Sequence, residues 1–346
     1  MEIDTYVGFD VSKNSIVATA VDPLGHPLRQ EKLGTTDEEI QQFLRDLPGA
    51  KQVVLEACNV WEHIYDAAAS TGAEVLLANP FQVKLVSKTT LKTDRVDSEK
   101  LAKLARLRAI PEAYAPTLET RALRRLVRER VFYTREWASV ANHTYAILLQ
   151  KGIPFRPAIL RRRTLRSEVE DPCIPEIARG IESLTRIEET TRALDGTIRE
   201  AFEASEEAQL LATIPGVGKF TAIVLVAFLC PIERFPSLDS VVKYCGLCPS
   251  VHQSGDKSYH GPLVWDSNTL LKWVLIEGQW NVRRHEKKGD VSRVGHRVAR
   301  RKAASDGAVP AARKLVRIAV AILRRHTPYE PRTPESSSRL SFNAES

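Results

Sequence analysis

The chain has few cysteines and no long apolar segment. Its five cysteines among 346 residues are odd in number and scattered, which argues against a disulfide framework and favours a reducing compartment. No run of about 18 apolar residues occurs, so a membrane-spanning helix is not expected. The first thirty residues contain Glu2, Asp4 and Asp10 and predict a strand instead of a signal peptide. These absences predict a cytoplasmic protein that has no membrane partner.

Charge is distributed unevenly along the chain. Of the net charge of +7, residues 1–110 contribute −3 and residues 111–205 contribute +2, which leaves +8 for residues 206–346. The chain is 43% hydrophobic and 27% charged, as globular proteins are, and its length predicts two or three domains. The basic last part predicts contact with a polyanion, most commonly nucleic acid.

The apolar pattern divides the chain into three blocks and a tail, with an overall α/β plus all-α fold class. Residues 1–115 alternate strands with helices, which predicts a mixed sheet. Residues 116–207 have helical spacing on two arms, which predicts a long helical hairpin or coiled-coil arm with its loop near residues 152–172. Residues 208–327 predict a mostly helical domain, and the Pro- and Ser-rich residues 328–346 predict a disordered tail.

Four acidic residues in the first block are candidate metal ligands. Asp10 and Glu56 each end a predicted strand, where the side chains of a mixed sheet converge, and Asp94 and Asp97 share one face of a predicted helix. Clustered carboxylates repel one another unless cations neutralise them, and oxygen-only ligands suit Mg²⁺ or Mn²⁺. Two such ions can clamp the attacking and leaving oxygens of a phosphodiester transfer. The alternatives are a turn that begins at Asp10 and a helix dipole that is complemented by Asp94 and Asp97.

The third block contains a candidate DNA-binding hairpin. The segment Ile214–Ala222 has a helix–hairpin–helix sequence, in which Gly216 and Gly218 permit a sharp turn and Lys219 adds a positive charge. The free N–H groups of the following helix could then contact a DNA phosphate without reading the base sequence. A plain connection between two helices is the alternative.

Other features of the third block are less specific. The basic residues of the run Arg283–Lys288, together with Arg297, Arg300, Arg301 and Lys302, predict a phosphate-binding face, with a solvated helix face as the alternative. The pair Cys245 and Cys248 is weak evidence for zinc, and small packed residues are the preferred interpretation.

The acids and a downstream Ser-Gly block together resemble the DEDD-type insertion-sequence transposases, which are related to DNA invertases of the Piv type. Segments Tyr6–Lys13, Val54–Ala57 and Lys92–Asp97 are similar to the family's Asp–Glu–Asp–Asp signature, and Asp10, Glu56, Asp94 and Asp97 match it in order. Segment Tyr244–Lys257 resembles the second conserved block of the family at Gly246, Leu247, Pro249, Ser254 and Gly255.

The resemblance implies a RuvC-like domain of the RNase-H type with a five-stranded mixed sheet and a Mg²⁺ or Mn²⁺ cofactor. It also implies that Ser254 attacks a DNA phosphate and forms a transient phosphoserine link. In the expected glycine-containing loop, Lys257, His252 or a nearby metal could lower the cost of deprotonating Ser254, and Lys257 is also a candidate DNA-binding residue. The alternative is an ordinary loop serine, and Ser250 and Ser258 lie close enough to compete. The implied partners are donor and target DNA, a noncoding guide RNA, and further copies of the chain in dimers that pair into tetramers.

Two other functions compete with this hypothesis. A RuvC-like junction nuclease would hydrolyse DNA with water and would not need Ser254. A non-enzymatic DNA-binding protein would use the hairpin and the basic helices and would need none of the four acids.

Overall fold

The computed structural model describes residues 2–86, 94–156, 158–169, 173–254, 257–264, 267–301 and 304–331, with side chains omitted at 251–254, 257–260 and 304–305. The chain divides into two compact units, and the boundary falls between Pro116 and Thr117. In the described part of the chain, no helix is both long and apolar enough to cross a membrane.

The first unit is built on a five-stranded mixed sheet. Its strands are β1 (Thr5–Val11), β2 (Ile16–Val21), β3 (Pro27–Leu33), β4 (Lys51–Glu56) and β5 (Glu74–Ala78). The spatial order is β3-β2-β1-β4-β5, in which β1, β2 and β3 pair antiparallel and β1, β4 and β5 pair parallel. The predicted mixed sheet is confirmed, and the arrangement is consistent with an RNase-H-like domain.

Helices cover both faces of this sheet. They are α1 (Asp37–Arg45), α2 (Trp61–Ala69), α3 (Pro80–Val86) and α4 (Asp94–Arg106), of which α3 was not expected. Helix α1 begins after Thr36, whose side chain accepts a hydrogen bond from the backbone N–H of Glu39, as its capping sequence predicts. Helices α1 and α2 bury one face of the sheet, and α4 buries part of the other.

Side-chain alternation assigns each strand residue to one of these two faces. Val7 and Phe9 of β1 pack with α1 and α2, whereas Tyr6 packs with α4. Gly8 also lies on the α4 face, where a Cβ atom would come within 2.0 Å of the Ser98 carbonyl oxygen and 2.6 Å of the Ala102 backbone nitrogen. The backbone of α4 therefore contacts the sheet directly at Gly8.

The second unit begins with two long helices, α5 (Leu118–Gln150) and α6 (Pro175–Glu203). They run antiparallel, because the Arg130 guanidinium pairs with Asp195 at 2.7 Å and the Trp137 indole N–H donates to Glu188 at 3.0 Å. The structure thus shows the helical hairpin that the apolar spacing predicts.

The far end of this hairpin has a small core of its own, formed by α5, α6 and the segment that connects them. A buried arginine fastens that segment, which includes a 3₁₀ turn at Arg163–Glu168. Arg166 is 3% exposed, donates to the Leu160 carbonyl oxygen at 2.7 Å and forms an ion pair with Glu188. A backbone carbonyl oxygen and a carboxylate thus compensate the charge of Arg166, as a buried charge requires.

The rest of the unit packs around one large core. Its elements are α7 (Glu206–Ala212), α8 (Lys219–Leu229), α9 (Leu238–Tyr244), β6 (Pro249–Ser254), β7 (Lys257–Leu263), α10 (Thr269–His285), α11 (Asp290–Ala299) and α12 (Ala308–Arg325), with 3₁₀ turns at Ile232–Arg234 and Ala304–Gly307. Helix α8 is apolar and largely buried, and Val127 of α5 and Ile198 of α6 belong to the same core. The predicted domain boundary at residues 207/208 stays a prediction.

Two features of this unit differ from expectation. Strands β6 and β7 form an antiparallel hairpin where a glycine-containing loop was expected. The predicted disordered tail includes Tyr329, but its hydroxyl donates to Glu286 Oε2 at 2.9 Å and its backbone N–H donates to Thr213 Oγ1 at 2.8 Å. Tyr329 is thus held by specific contacts, and residues 332–346 of the predicted tail lie outside the described residues.

We expect Gly8→Ala to lower the free energy of unfolding by about 2 kcal/mol or more, because the added methyl group overlaps backbone atoms that cannot rotate away. Urea unfolding of the full chain would measure the loss. The control is Gly196→Ala in α6, where nothing lies within 4 Å of the new Cβ and a small gain of about 0.5–1 kcal/mol is expected. Equal effects of the two substitutions would contradict the close contact at Gly8.

Candidate active site

Two of the four candidate acids lie side by side at the end of the parallel pair β1 and β4. The register pairs Phe9 with Leu55, and Asp10 and Glu56 are the next residue on each strand. Both follow a residue that faces α1 and α2, so both point to the α4 face. Each is partly exposed and takes part in an interaction in this structure.

The other two acids occupy the first turn of α4, which begins at Asp94. Helix α4 is antiparallel to β1, since Tyr6 packs in one cluster with Ala105 whereas Gly8 meets Ser98 and Ala102. A step of two residues along a strand covers about 6.6 Å, and a step of four residues along a helix covers about 6 Å, so the two steps are nearly equal in length. The next residue on this face after Gly8 is Asp10, which therefore lies level with the first turn of α4.

A shallow pocket supports the same placement. It is lined by Val17, Gln30 and Lys32 from the sheet and by Asp94 and Arg95 from α4. Val17 is the register partner of Asp10 across β1 and β2. All four candidate acids are thus brought to one end of one face of the sheet.

The acids are not arranged as a ready ligand cage. Among the described residues, no three Asp, Glu, His or Cys side chains are grouped so that they could hold a metal ion. Asp97 instead has Lys100 Nζ at 3.7 Å from its Oδ1. The four carboxylates nevertheless have the chemistry that Mg²⁺ or Mn²⁺ prefers.

A buried polar network fastens the first turn of α4 to the sheet. Thr19 of β2 is 1% exposed and Ser98 of α4 is fully buried, and their hydroxyl oxygens are 2.8 Å apart. Ser98 Oγ donates to the Arg95 carbonyl oxygen at 3.0 Å, so its own oxygen is left to accept from Thr19. Thr19 Oγ1 in turn accepts from Gln30 Nε2 at 2.9 Å.

The network closes on itself, because Gln30 Nε2 also lies 3.3 Å from the Arg95 carbonyl oxygen. Arg95 stands between Asp94 and Asp97, so the network fixes the backbone that carries both acids. Sequence reasoning missed Thr19, Gln30 and Ser98. The available signal was a hydroxyl in the otherwise apolar strand Ile16–Val21 and another on the buried face of α4.

The candidate nucleophile ends a strand. Ser254 is the last residue of β6, and its register partner is Lys257, the first residue of β7. The side chains of both lie outside the described residues, as does Gly255. Ser250, a competing serine, donates its hydroxyl to the Pro262 carbonyl oxygen at 3.0 Å and so serves the hairpin itself.

The candidate DNA-binding hairpin joins α7 to α8. Gly216 has φ +87°, and a Cβ there would come within 2.7 Å of the Asn281 backbone, so this glycine allows close packing on α10. Gly218 is exposed at the N-cap of α8. Lys219 is paired with Glu203 at 3.2 Å and lies over the Phe202 ring. The geometry is compatible with a plain helix connection, and DNA contact here stays a prediction.

The cysteine pair is explained by packing. Cys245 is buried in the large core of the second unit, and burial, with a smaller contribution from Cys248, raises the pKa of the Cys245 thiol to about 12. This supports the interpretation of Cys245 as a small core residue.

Two family models match the chain. One, described as a transposase of the DEDD type named for IS110, matches residues 7–153, and another, described as the transposase IS116/IS110/IS902 family, matches residues 208–294. Between them they cover more than half of the chain. The chain belongs to the IS110/IS116/IS902 transposase family.

Several relatives match along most of their length. The chain is 24% identical to the transposase for insertion sequence element IS1111A of Coxiella burnetii, over 81% of this chain and 78% of that protein. It is 26% identical to a probable family 20 transposase of Pseudomonas aeruginosa, over 94% and 98%, and 23% identical to the pilin gene-inverting protein of Moraxella bovis, over 96% and 99%. This IS110-family protein is accordingly a DNA transposase or recombinase.

The two matched ranges contain the candidate residues of this transposase. The first includes Asp10, Glu56, Asp94 and Asp97, and the second includes the α7–α8 hairpin and the β6–β7 hairpin. The second match ends at residue 294, within α11.

A double-mutant cycle would test the polar network of the transposase. Thr19→Val and Ser98→Ala should each cost about 1–3 kcal/mol, because each leaves a buried polar partner unsatisfied. The double variant should cost less than the sum of the two, since it removes both ends of one hydrogen bond. Hydrogen exchange of the α4 amides would report the loss locally. Strictly additive costs would contradict a shared network.

Proposed function

We propose that this transposase cleaves and rejoins DNA strands with a four-carboxylate metal site in its first unit and with Ser254 as the nucleophile. The observation that carries the proposal is the placement of Asp10 and Glu56 side by side, level with the first turn of α4 that bears Asp94 and Asp97. Carboxylates that lie close together repel one another unless cations or protons neutralise their charge, so this arrangement favours a cation-binding role.

Asp10, Glu56, Asp94 and Asp97 would hold Mg²⁺ or Mn²⁺ in this proposal. When bound, such ions supply charge that stabilises the oxygens of a phosphodiester during transfer. The carboxylates hold that charge in place, and the network of Thr19, Gln30 and Ser98 keeps the first turn of α4 in register with β1.

Ser254 would carry the covalent step. Its hydroxyl loses the proton, its oxygen bonds to phosphorus, and the deoxyribose oxygen leaves as a hydroxyl group. The bond is a phosphodiester before and after, so rejoining needs no further energy source. Lys257 lies opposite Ser254 in the hairpin, where its charge would favour the deprotonated serine or a DNA phosphate.

DNA is the substrate class of the family, and the further partners belong to the proposal. A noncoding guide RNA would bridge donor and target DNA, and dimers that pair into tetramers would hold two DNA ends. The charge of +8 in residues 206–346 supports a polyanion partner for the second unit. The helical hairpin of α5 and α6 offers a surface for assembly.

Asp10→Asn and Glu56→Gln should each lower strand cleavage at least about 100-fold, because loss of cation binding removes several kcal/mol of transition-state stabilisation. The measurement is cleavage of a labelled duplex that carries the DNA flanking this coding sequence. Chelation with EDTA should abolish cleavage and added Mg²⁺ should restore it. Matched controls are Asp37→Asn and Glu38→Gln, exposed acids in the first turn of α1. Activity equal to that of the unaltered chain in Asp10→Asn would refute the acidic site.

Ser254→Ala separates the serine mechanism from hydrolysis by a RuvC-like nuclease. We expect the unaltered chain to form a protein–DNA adduct that survives denaturing electrophoresis, and the variant to form none and to cleave nothing. The control is Ser250→Ala, which removes a hydroxyl that donates a hydrogen bond to the Pro262 carbonyl oxygen. This variant should still form the protein–DNA adduct. Full cleavage by Ser254→Ala, with metal still required, would establish the nuclease instead.

A further inference from the structure

The second unit has an open groove whose described lining is entirely basic. Lys287 and Lys288 lie on the turn after α10, and Arg293, His296, Arg297, Arg300 and Arg301 lie on α11 or directly after it. All seven side chains are exposed. We call this surface the basic groove.

The sequence of α11 separates a packed face from a basic face. Val291, Ser292 and Gly295 are buried against the unit. Arg293, Arg297 and Arg300 recur at helical spacing on the opposite side, and His296 lies among them. The helix therefore packs through one stripe and presents cations along the other.

A further arginine lies behind the groove. The Arg283 guanidinium stacks on the Trp280 ring at 4.6 Å, and its Nη2 is 3.5 Å from His296 Nδ1. A Cβ at Gly295 would lie 3.1 Å from Arg283 Cζ, so the glycine leaves room for this guanidinium between the helices. The positive charge continues beneath the exposed surface.

The acids next to the groove are already engaged. Asp290 accepts from Lys314 at 2.7 Å and pairs with Arg293. Burial raises the pKa of Asp290, but the hydrogen bonds from Lys314 and Arg293 outweigh burial and hold the pKa below its usual value. Glu286 accepts the Tyr329 hydroxyl. Asp290 is thus shared between Lys314 and the groove residue Arg293, whereas Glu286 is engaged by Tyr329.

Four of the other groove cations are not compensated by any carboxylate in the part of the chain that the structure describes. Among the described residues, Lys287, Lys288, Arg297 and Arg300 have no carboxylate partner. Arg293 and Arg297, like His296 and Arg300, are four residues apart, where like charges destabilise a helix when both are charged. A polyanion in the groove would relieve this repulsion.

We propose that the basic groove binds the phosphate backbone of duplex DNA without reading its sequence. The proposal rests on the proposed function only in taking DNA as the substrate. From Arg293 to Arg300 the helix rises about 10 Å, a length over which duplex DNA carries about six phosphate charges. The groove also extends beyond the family match, which ends at residue 294, so His296, Arg297, Arg300 and Arg301 belong to a part of the chain outside that match.

The test compares two triple variants, each made with Asp10→Asn so that bound DNA stays uncut. One is Arg297→Ala, Arg300→Ala and Arg301→Ala in the groove. The control is Arg179→Ala, Arg192→Ala and Arg199→Ala, three exposed arginines of α6 that give the same change in net charge. Binding of a 30-base-pair duplex of arbitrary sequence is measured against salt concentration.

The groove variant should bind about tenfold or more weakly at low salt, to the same degree for two unrelated sequences. Its plot of log Kd against log salt should be shallower by about 2–3, one for each lost phosphate contact. The α6 control should keep the original slope. A second groove variant combines Lys287→Ala and Lys288→Ala, which lie on a turn outside α11. It should make the slope shallower by about 1–2, and it remains testable if substitutions in and directly after α11 prevent folding.

Three results would overturn the proposal. One is an unchanged slope in both groove variants, and another is an equal loss in the α6 control, which would show an effect of net charge alone. The third is duplex binding that stays intact while binding of a structured RNA of equal length falls, which would make the groove an RNA site. None of these readings depends on cleavage, so they are independent of the acid and serine tests.

Discussion

The contact between the backbone of α4 and Gly8 of β1 is the constraint on which the candidate active site depends. Because no side chain intervenes at Gly8, the helix approaches the sheet closely enough for Ser98 to reach the Thr19 hydroxyl on the neighbouring strand. That hydrogen bond and its continuation to Gln30 and Arg95 fix the rotation and the height of the first helical turn. Gly8 and the hydroxyl groups of Thr19 and Ser98 therefore determine where the two acids of α4 lie.

The second unit combines many basic side chains with one large apolar core. Apolar residues are concentrated in α8 and α12, which lie within one large core. The basic residues of α11 and of the turn before it are exposed at the edge of that framework, where water solvates them. Of the two acids nearby, Asp290 is shared between Arg293 and Lys314, and Glu286 is engaged by Tyr329. The apolar residues that stabilise the unit and the exposed basic residues thus lie in different parts of it.

Local patterns predicted the first unit well. Val7 and Phe9 alternate with Gly8 and Asp10, and the apolar run of Val53, Val54 and Leu55 stops at Glu56, so short patterns place both acids near strand ends, although β1 itself continues to Val11. The polar network could not be predicted, because Thr19 and Ser98 are separated by 79 positions and meet only through the register of the sheet. Similarly, the composition around Tyr329 suggested disorder, but its partner Glu286 is 43 positions away. The β6–β7 hairpin was missed because its serine, histidine and glutamine residues give no apolar alternation.

The hairpin of α5 and α6 has a mechanical consequence. A helix of 33 residues is about 50 Å long, and here its far end is held by a core separate from the one at its base. Arg166 pairs with Glu188 of α6 and donates to the Leu160 carbonyl oxygen, so we expect the connecting segment to follow the two helices. Such an element acts as a lever: a rotation of about 10° at the base would displace the tip by about 9 Å. Small rearrangements in the core around Val127 and Ile198 would therefore become large displacements at whatever surface the tip contacts.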